Sequence, residues 1–330
     1  MITSRDVARL AGVSQPTVSR ALRGDQRVSE DTREKVRRAA EALSYVPSET
    51  GRSLSTRTTN RIGVVVTDLT NPFYPHLIGP LHDELERHGY RMMLFTERDE
   101  TAVTSQRLLD RSIDGVVLAT ATVSSRLPEE LQRRELPFVF LNREGGGQSG
   151  DAAVVDNELG GRLVAQELAR LGHRDIACIG GPSETTTGRD REMGFRLGLS
   201  EAGIALPETS VRRGPFDFDT GYRALEELLE ARPTAVFCGN DVIAIGAFNA
   251  ARRLGVRIPE DLTLIGFDDI PMASWETFDL TTVHYDLAAL AQTSARLLVE
   301  RIESDGRAEA RRTLFEPSLV LRSTHASPGR

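Results

Sequence analysis

Seven short apolar runs, separated by stretches of helical periodicity and most of them ending in polar residues, constrain the fold of this chain more than any other feature. They are IGVVVTD (62–68), YRMMLFT (90–96), DGVVLAT (114–120), PFVFLN (137–142), IACIGG (176–181), AVFCGN (235–240) and LTLIGFDD (262–269). Runs this short and this apolar read as buried parallel strands. Their alternation with amphipathic helices predicts an α/β body of doubly wound parallel sheets, in which ligands meet the loops at the carboxyl ends of the strands. A chain of 330 residues exceeds what one core usually serves, so a small module beside a larger one is expected. With 39% hydrophobic and 27% charged residues the composition excludes disordered and membrane-embedded classes.

The strand ends are where the polar residues gather. Asp68 is followed by Asn71, Phe73 and Tyr74; then come Asn142 and Arg143, Asn240 and Asp241, and Asp268 with Asp269. Arg191 and Phe216 fall in loops or helix starts between them. Carboxylates, amides and arginine supply directional hydrogen bonds, while the aromatic rings offer flat apolar faces, a lining suited to a polar small molecule. The competing reading is local: Asp and Asn at such places cap helices or close turns.

The first sixty residues follow another rhythm. Val7, Ala8, Leu10 and Ala11 recur at helical spacing, with Thr3 or Ser4 as N-cap and Asp6 in the first turn. Gly12 supplies a tight turn, and Ser14 caps a second helix whose inward face is expected to be Val18, Ala21 and Leu22. Two helices joined so tightly form a helix-turn-helix, which presents the start of its second helix to the major groove. Gln15, Pro16, Thr17, Ser19, Arg20 and Arg23 lie outside the apolar stripe. Arg20 can fork onto guanine, Gln15 can pair with a base edge, and Thr17 and Ser19 can reach phosphate oxygens; a solvated helix face is the plainer alternative. A third helix starts at Ser29, buries Val36, Ala39, Ala40 and Leu43, and ends before Pro47. SETGRSLSTRTTN then reads as a linker. Up to Asn60 there are eleven Lys/Arg against seven Asp/Glu, about +4, so the remainder carries about −11 of the net −7. A basic head on an acidic body suits a chain of which only the head approaches phosphates.

DVARLAGVSQPTVSRALRG, VSEDTREKV and LSYVP, in this order and spacing, resemble the headpiece of the lactose-repressor (LacI) family. The resemblance places Gln15, Pro16 and Arg20 at base-reading positions and Thr17, Ser19, Arg27, Thr32 and Tyr45 at backbone contacts; Ser4 and Arg23 complete the candidate DNA-binding set. Leu54 matches a leucine that the family wedges into the minor groove from a hinge helix. Gly51 stands where alanine is usual, which weakens that helix by roughly 1 kcal/mol. In the body DLTNPFY, VVDNELGGRLVAQEL, LGHRDIACIGG, REMGFRLGL, GNDVIAIGA, IPEDLTLIGFDD and LTTVHYD are similar to the family's effector domain, itself like periplasmic sugar-binding proteins. By position Arg191, Phe216, Asn240 and Asp268 match effector-contacting residues, with Asn142, Phe73 and Tyr74 as further candidates. Asn142 replaces a common aspartate and Phe278 a common proline, departures that bear on ligand identity.

The resemblance implies a headpiece over 1–46, a hinge helix and linker over 47–60, and an effector-binding and dimerisation domain over 61–330. Its lobes would take 61–156 with 286–314, and 157–283 with 315–330, with helix 73–88 helping to form the dimer. The expected function is a repressor of a carbohydrate-utilisation operon, released from palindromic operator DNA by a sugar-like effector. A corepressor-dependent regulator of purine or partner-protein type is the nearest alternative; a sugar-binding protein without DNA and an enzyme follow.

No GxSxG, GxxxxGK[ST], HExxH or strand-borne GxGxxG is present, so the common catalytic signatures give no support to an enzyme. GGPSETTTG could hold an anion at a helix start, although a βα loop explains it more simply. Cys178 and Cys238 lack CxxC spacing and read as small buried residues, the six histidines show no metal-ligand spacing, and no cofactor is expected. The N-terminus has no signal-peptide apolar run, so a cytoplasmic protein without membrane contact is expected. The C-terminus lacks the leucine heptads of a tetramer-forming tail.

Overall fold

The computed structural model describes residues 2–22, 24–45, 58–96, 108, 112–145, 147, 150–304 and 309–329. The chain divides into two compact units, Met1–Thr59 and Asn60–Arg330. Among the described residues the first holds three helices: α1 Ser4–Ala11, α2 Gln15–Leu22 and α3 Glu30–Ala42. Thr3, not Ser4, is the N-cap of α1; its backbone N–H and hydroxyl both donate to the Asp6 carboxylate, at 3.0 and 2.8 Å. Gly12 ends the helix with φ +66°, which a side chain would strain. The core is Val7, Val18, Val28 and Val36 with four alanines. Leu22, read from sequence as inward, is 37% exposed, and Leu10 is 56% exposed. The inward row of α2 runs from Val18 to Ala21, and the next position lies a further 100° round the helix, outside a core kept narrow by alanine.

The second unit holds two six-stranded sheets. Its first elements are β1 Arg61–Val66, α4 Phe73–Arg87, β2 Arg91–Thr96, β3 Gly115–Leu118, α5 Leu127–Arg133, β4 Phe138–Leu141 and β5 Asp151–Val155. Next come α6 Asn157–Leu171, β6 Ile176–Gly180, α7 Thr186–Glu201, β7 Val211–Arg213, α8 Phe218–Leu228, β8 Ala235–Cys238, α9 Asp241–Leu254 and β9 Thr263–Phe267. The last are β10 Thr281–His284, α10 Leu287–Glu303, β11 Arg312–Phe315 and β12 Ser318–Val320. The sheet orders are β11-β5-β4-β3-β1-β2 and β12-β10-β9-β8-β6-β7. All pairings are parallel except β10 with β12. The α/β class with two parallel-dominated sheets is thus as expected.

All seven apolar runs form strands, but β2 is not buried: as an edge strand it alternates exposed and half-buried residues, and Leu94 is 38% exposed. The short β5, β7, β10, β11 and β12 were not read as strands, because three to five residues give too little periodicity. The chain passes from the first sheet to the second after β5, returns after β10 as α10 packs beside α4, and crosses again between β11 and β12.

Close backbone approach sets the second lobe's helix pair. A Cβ on Gly161 of α6 would lie 2.1 Å from the Arg191 carbonyl oxygen, and one on Gly194 of α7 would lie 1.9 Å from that of Glu158. Only glycine lets these helices meet so tightly, which brings Arg191 against the start of α6. Cys178 and Cys238 are both fully buried and belong to different core clusters, on opposite faces of the sheet. Burial pushes both thiols up, so they pack as inert small residues. His173 anchors the C-terminal tail: Nε2–H donates to the Ala326 carbonyl at 2.8 Å, and Nδ1 lies 2.9 Å from the Thr234 hydroxyl.

Burial pulls the His173 imidazole below its ordinary pKa of about 6.5. The unfolded chain therefore takes the proton first, so the stability contributed here is complete above pH 6.5 and declines as the pH falls below it. Urea midpoints should drop between pH 7.5 and 5.5, and His173→Gln should flatten that drop while lowering stability at pH 7.5. An equal pH dependence in the variant would assign the effect to other groups.

Candidate functional site

In the head, the exposed surface of α2 carries Gln15, Pro16 and Arg20. Gln15 is held at its tip: the terminal amide Nε2 donates to Ser4 Oγ at 2.9 Å, which gives this long side chain a preferred direction and which a base edge must displace. Thr17 is half-buried, its hydroxyl 2.8 Å from that of Ser14 at the N-cap, and Ser19 beside it is half-buried as well. Thr32 pairs with Ser29 in the same way at 2.9 Å, and Tyr45 packs against the head's core. Arg27 grips Asp25 through two nitrogens, at 3.0 and 2.8 Å, and holds that carboxyl down at about 2. A phosphate must compete with this pair, which is exposed and therefore weak. Arg23 and Leu54 lie outside the described residues.

In the body one cleft of about 260 Å³ is lined by Asn71, Phe73, Tyr74, Asn142, Arg143, Thr187, Arg191, Phe216, Asn240 and Asp268. All seven residues singled out as effector contacts meet here, brought from both lobes. Every one except Arg191 lies a few residues beyond the carboxyl end of a strand, the crevice where open α/β sheets hold ligands. Asn71 and Arg143 had been placed in the strand-end lining, though not among the residues matched to effector contacts. Thr187 was missed, although it stands in GGPSETTTG, the stretch set aside as a βα loop.

Arg191 organises the second lobe's wall. Only 2% exposed, it donates from Nε to Asn157 Oδ1 at 2.9 Å, from one terminal nitrogen to the Gly239 carbonyl at 2.7 Å, and from the other to Asp268 Oδ1 at 2.8 Å. Its guanidinium lies 3.8 Å from the centre of the Phe267 ring, a cation–π contact in a dry setting. Tyr285 also donates to Asp268 Oδ1, at 2.8 Å, which leaves Oδ2 without a partner among the described residues. Burial pushes the Asp268 carboxyl up, and Arg191 opposes that shift. Asp268 sits at φ +110° and Asp269 at +51°, backbone conformations that cost energy outside glycine and that collect at functional sites.

Phe216 lies over Gly181, where a Cβ would fall 2.1 Å from its ring; the missing side chain makes room for the aromatic wall. Arg143 lies 5.1 Å and Arg191 5.8 Å from the ring centre. Phe73 and Tyr74 form the facing wall, edge to face at 5.5 Å, with the Tyr74 hydroxyl 2.9 Å from that of Thr67. Across the cleft Asn71 Nδ2 donates to the Phe216 carbonyl at 2.7 Å and the Val123 N–H to the Glu184 carbonyl at 2.9 Å, so the lobes touch directly. Asn142 Oδ1 and Arg143 Nε are buried with no partner among the described residues. Groups left so are costly unless something fills the cleft.

Comparison with known proteins decides the family. Residues 3–48 match the family described as bacterial regulatory proteins, lacI family, and residues 165–325 match a periplasmic binding protein-like domain. The ribose operon repressor of Escherichia coli is 37% identical over 308 residues, 92% of this chain and 93% of that protein. The transcriptional repressor PurR of Vibrio campbellii is 34% identical over 332 residues, 98% of each chain. The chain belongs to the lacI family of bacterial regulatory proteins. Among solved lacI-family structures, the lac repressor dimer bound to operator and an anti-inducer superposes with a TM-score of 0.88 at 26% identity, covering 98% of this chain and 99% of that one. The helix-turn-helix head and the two-lobed body thus have their counterparts in one protein family whose relatives here are transcriptional repressors.

Removing Asp268 should leave a lacI-family wall with a buried, unpaired guanidinium. Asp268→Ala is expected to cost about 3–5 kcal/mol of folding stability, measured by urea unfolding. A loss below about 1 kcal/mol, the scale of an exposed pair, would mean that Arg191 reaches solvent.

Proposed function

We propose that this chain is a dimeric, cytoplasmic repressor that holds a palindromic operator with its head and leaves it when a small sugar-like effector enters the cleft. One observation carries the reading: a single cleft gathers amides, guanidinium groups, a carboxylate and three aromatic rings from both lobes. Hydroxyl-rich rings need that mixture of bidentate donors, acceptors and flat apolar faces. A ligand held by both lobes favours one lobe arrangement over another, and operator affinity responds only through that difference. α4 and the free edge of β2, with Leu94 exposed, are the surface offered to the second copy. No helix among the described residues is long and apolar enough to cross a membrane.

The nearest alternative is a corepressor-dependent regulator, in which the ligand strengthens operator binding. The sign of the response separates the two. Titrating pentoses and hexoses against a fluorescent operator should lower binding by the full-length protein; ligands that only tighten it would establish the corepressor reading. For the head, Arg20→Ala should lose about 1–3 kcal/mol on operator and relax preference at one base pair in a randomised-site selection. Equal loss on random DNA would show that Arg20 touches only phosphate.

A further inference from the structure

Resting on the reading of the cleft as the effector site, we infer that it selects an anionic ligand, a sugar acid or sugar phosphate, over the neutral parent sugar. Among the described residues, the charged groups lining the cleft are Arg143, Arg191 and Asp268. Asp268 is matched to Arg191 at 2.8 Å. Arg143 makes no ion pair among the described residues, although its charge also acts on Asp268; its Nε is buried and unpartnered, and its guanidinium rests against the Phe216 ring.

The acidic groups nearby are engaged elsewhere. Glu144 pairs with Arg312 at 3.0 Å, and Asp269 with Arg322 at 2.7 Å and His284 at 2.9 Å. Asp241 lies behind the wall, fully buried, where its oxygens accept from the Thr282 hydroxyl and the Ile270 N–H. Burial pushes that carboxyl strongly up, toward the neutral acid. The cleft therefore keeps one positive charge in excess.

Asn142 fixes this balance. It is 4% exposed and its Oδ1 has no partner, so it offers a ligand hydroxyl an acceptor but contributes no charge, where an aspartate of the same shape would cancel Arg143. Arg143 is half-buried with its Nε out of water, and the carboxylate or phosphate of a ligand supplies that group a partner through charge-assisted hydrogen bonds.

The test is calorimetry on the full-length protein with D-ribose, D-ribonate and D-ribose 5-phosphate, and with D-glucose, D-gluconate and D-glucose 6-phosphate. At least one anion should bind roughly tenfold or more tighter than its neutral parent, as expected for a charge-assisted contact. The acid and phosphate arms identify which anion the cleft takes. Asn142→Asp, whose φ of +67° aspartate tolerates, should abolish or reverse the preference; Arg143→Gln should remove it while urea unfolding confirms a folded chain. Neutral parents binding as well as the anions would overturn the charge assignment and leave the effector site standing, as would silence from all six. A ligand held equally well by Arg191→Ala binds elsewhere, and that result would instead remove the cleft reading on which the inference rests.

Discussion

One buried guanidinium orders the ligand-facing side of the second lobe. Taking Arg191 out of water costs several kcal/mol even after relaxation, and the cost is recovered only when every N–H finds a well-placed acceptor. Its acceptors come from the start of α6, the end of β8 and the end of β9, and the ring beneath it is also from β9. These elements cannot shift separately without stranding a charge. The strained backbone at Asp268 and Asp269 persists for the same reason: the surroundings over-determine it. Gly161 and Gly194 belong to this arrangement, because the helix carrying Arg191 must lie against α6 for Nε to reach Asn157.

The freedom left to the body is a movement of one lobe against the other. Asp156 caps α6 where the first crossing ends, and Asp286 caps α10 where the second does. The Asp156 N–H also donates to the Phe315 carbonyl at 2.9 Å, which ties the first crossing to the third. The crossings are therefore pinned, whereas across the cleft the described contacts include three hydrogen-bonded pairs, Asn71 with Phe216, Val123 with Glu184 and Glu144 with Thr186. Rigid walls joined by pinned strands and meeting at few polar contacts are the requirement for hinge motion. A ligand need supply only the difference between two lobe arrangements, a small quantity beside the stability of either lobe.

What was legible in the sequence follows from which signals are local. Long apolar runs identified the central strands, and Ser14, Ser29 and Gly12 marked the head's turns, because caps and φ preferences act within a few residues. Leu22 was misplaced because helical spacing does not say how wide the core is. β2 was misplaced because an apolar run does not reveal that no strand follows it in the sheet. The short strands β7, β11 and β12 left no trace, since their pairing is decided by distant chain. At the site, family resemblance supplied seven of the lining residues and the strand-end pattern two more. Thr187 escaped because its hydroxyl had a sufficient local explanation in a loop preceding α7.

The choice posed by sequence, helix cap or ligand contact, turns out to be no choice for the amides. Asn240 accepts from the Ile243 N–H through Oδ1 at 2.9 Å, a proper N-cap of α9, and still lines the cleft, with Nδ2 unpartnered among the described residues. Asn71 accepts from the Phe73 N–H through Oδ1 at 2.9 Å while Nδ2 reaches across to the opposite lobe. An amide has an acceptor end and a donor end, and a helix start consumes only the first. Because each helix begins just beyond a strand's carboxyl end, the second end is left in the crevice between the lobes. The site therefore needs few residues that the fold does not already require, and what distinguishes one ligand from another falls to positions such as Asn142 and Arg143, whose polar atoms the fold leaves unused.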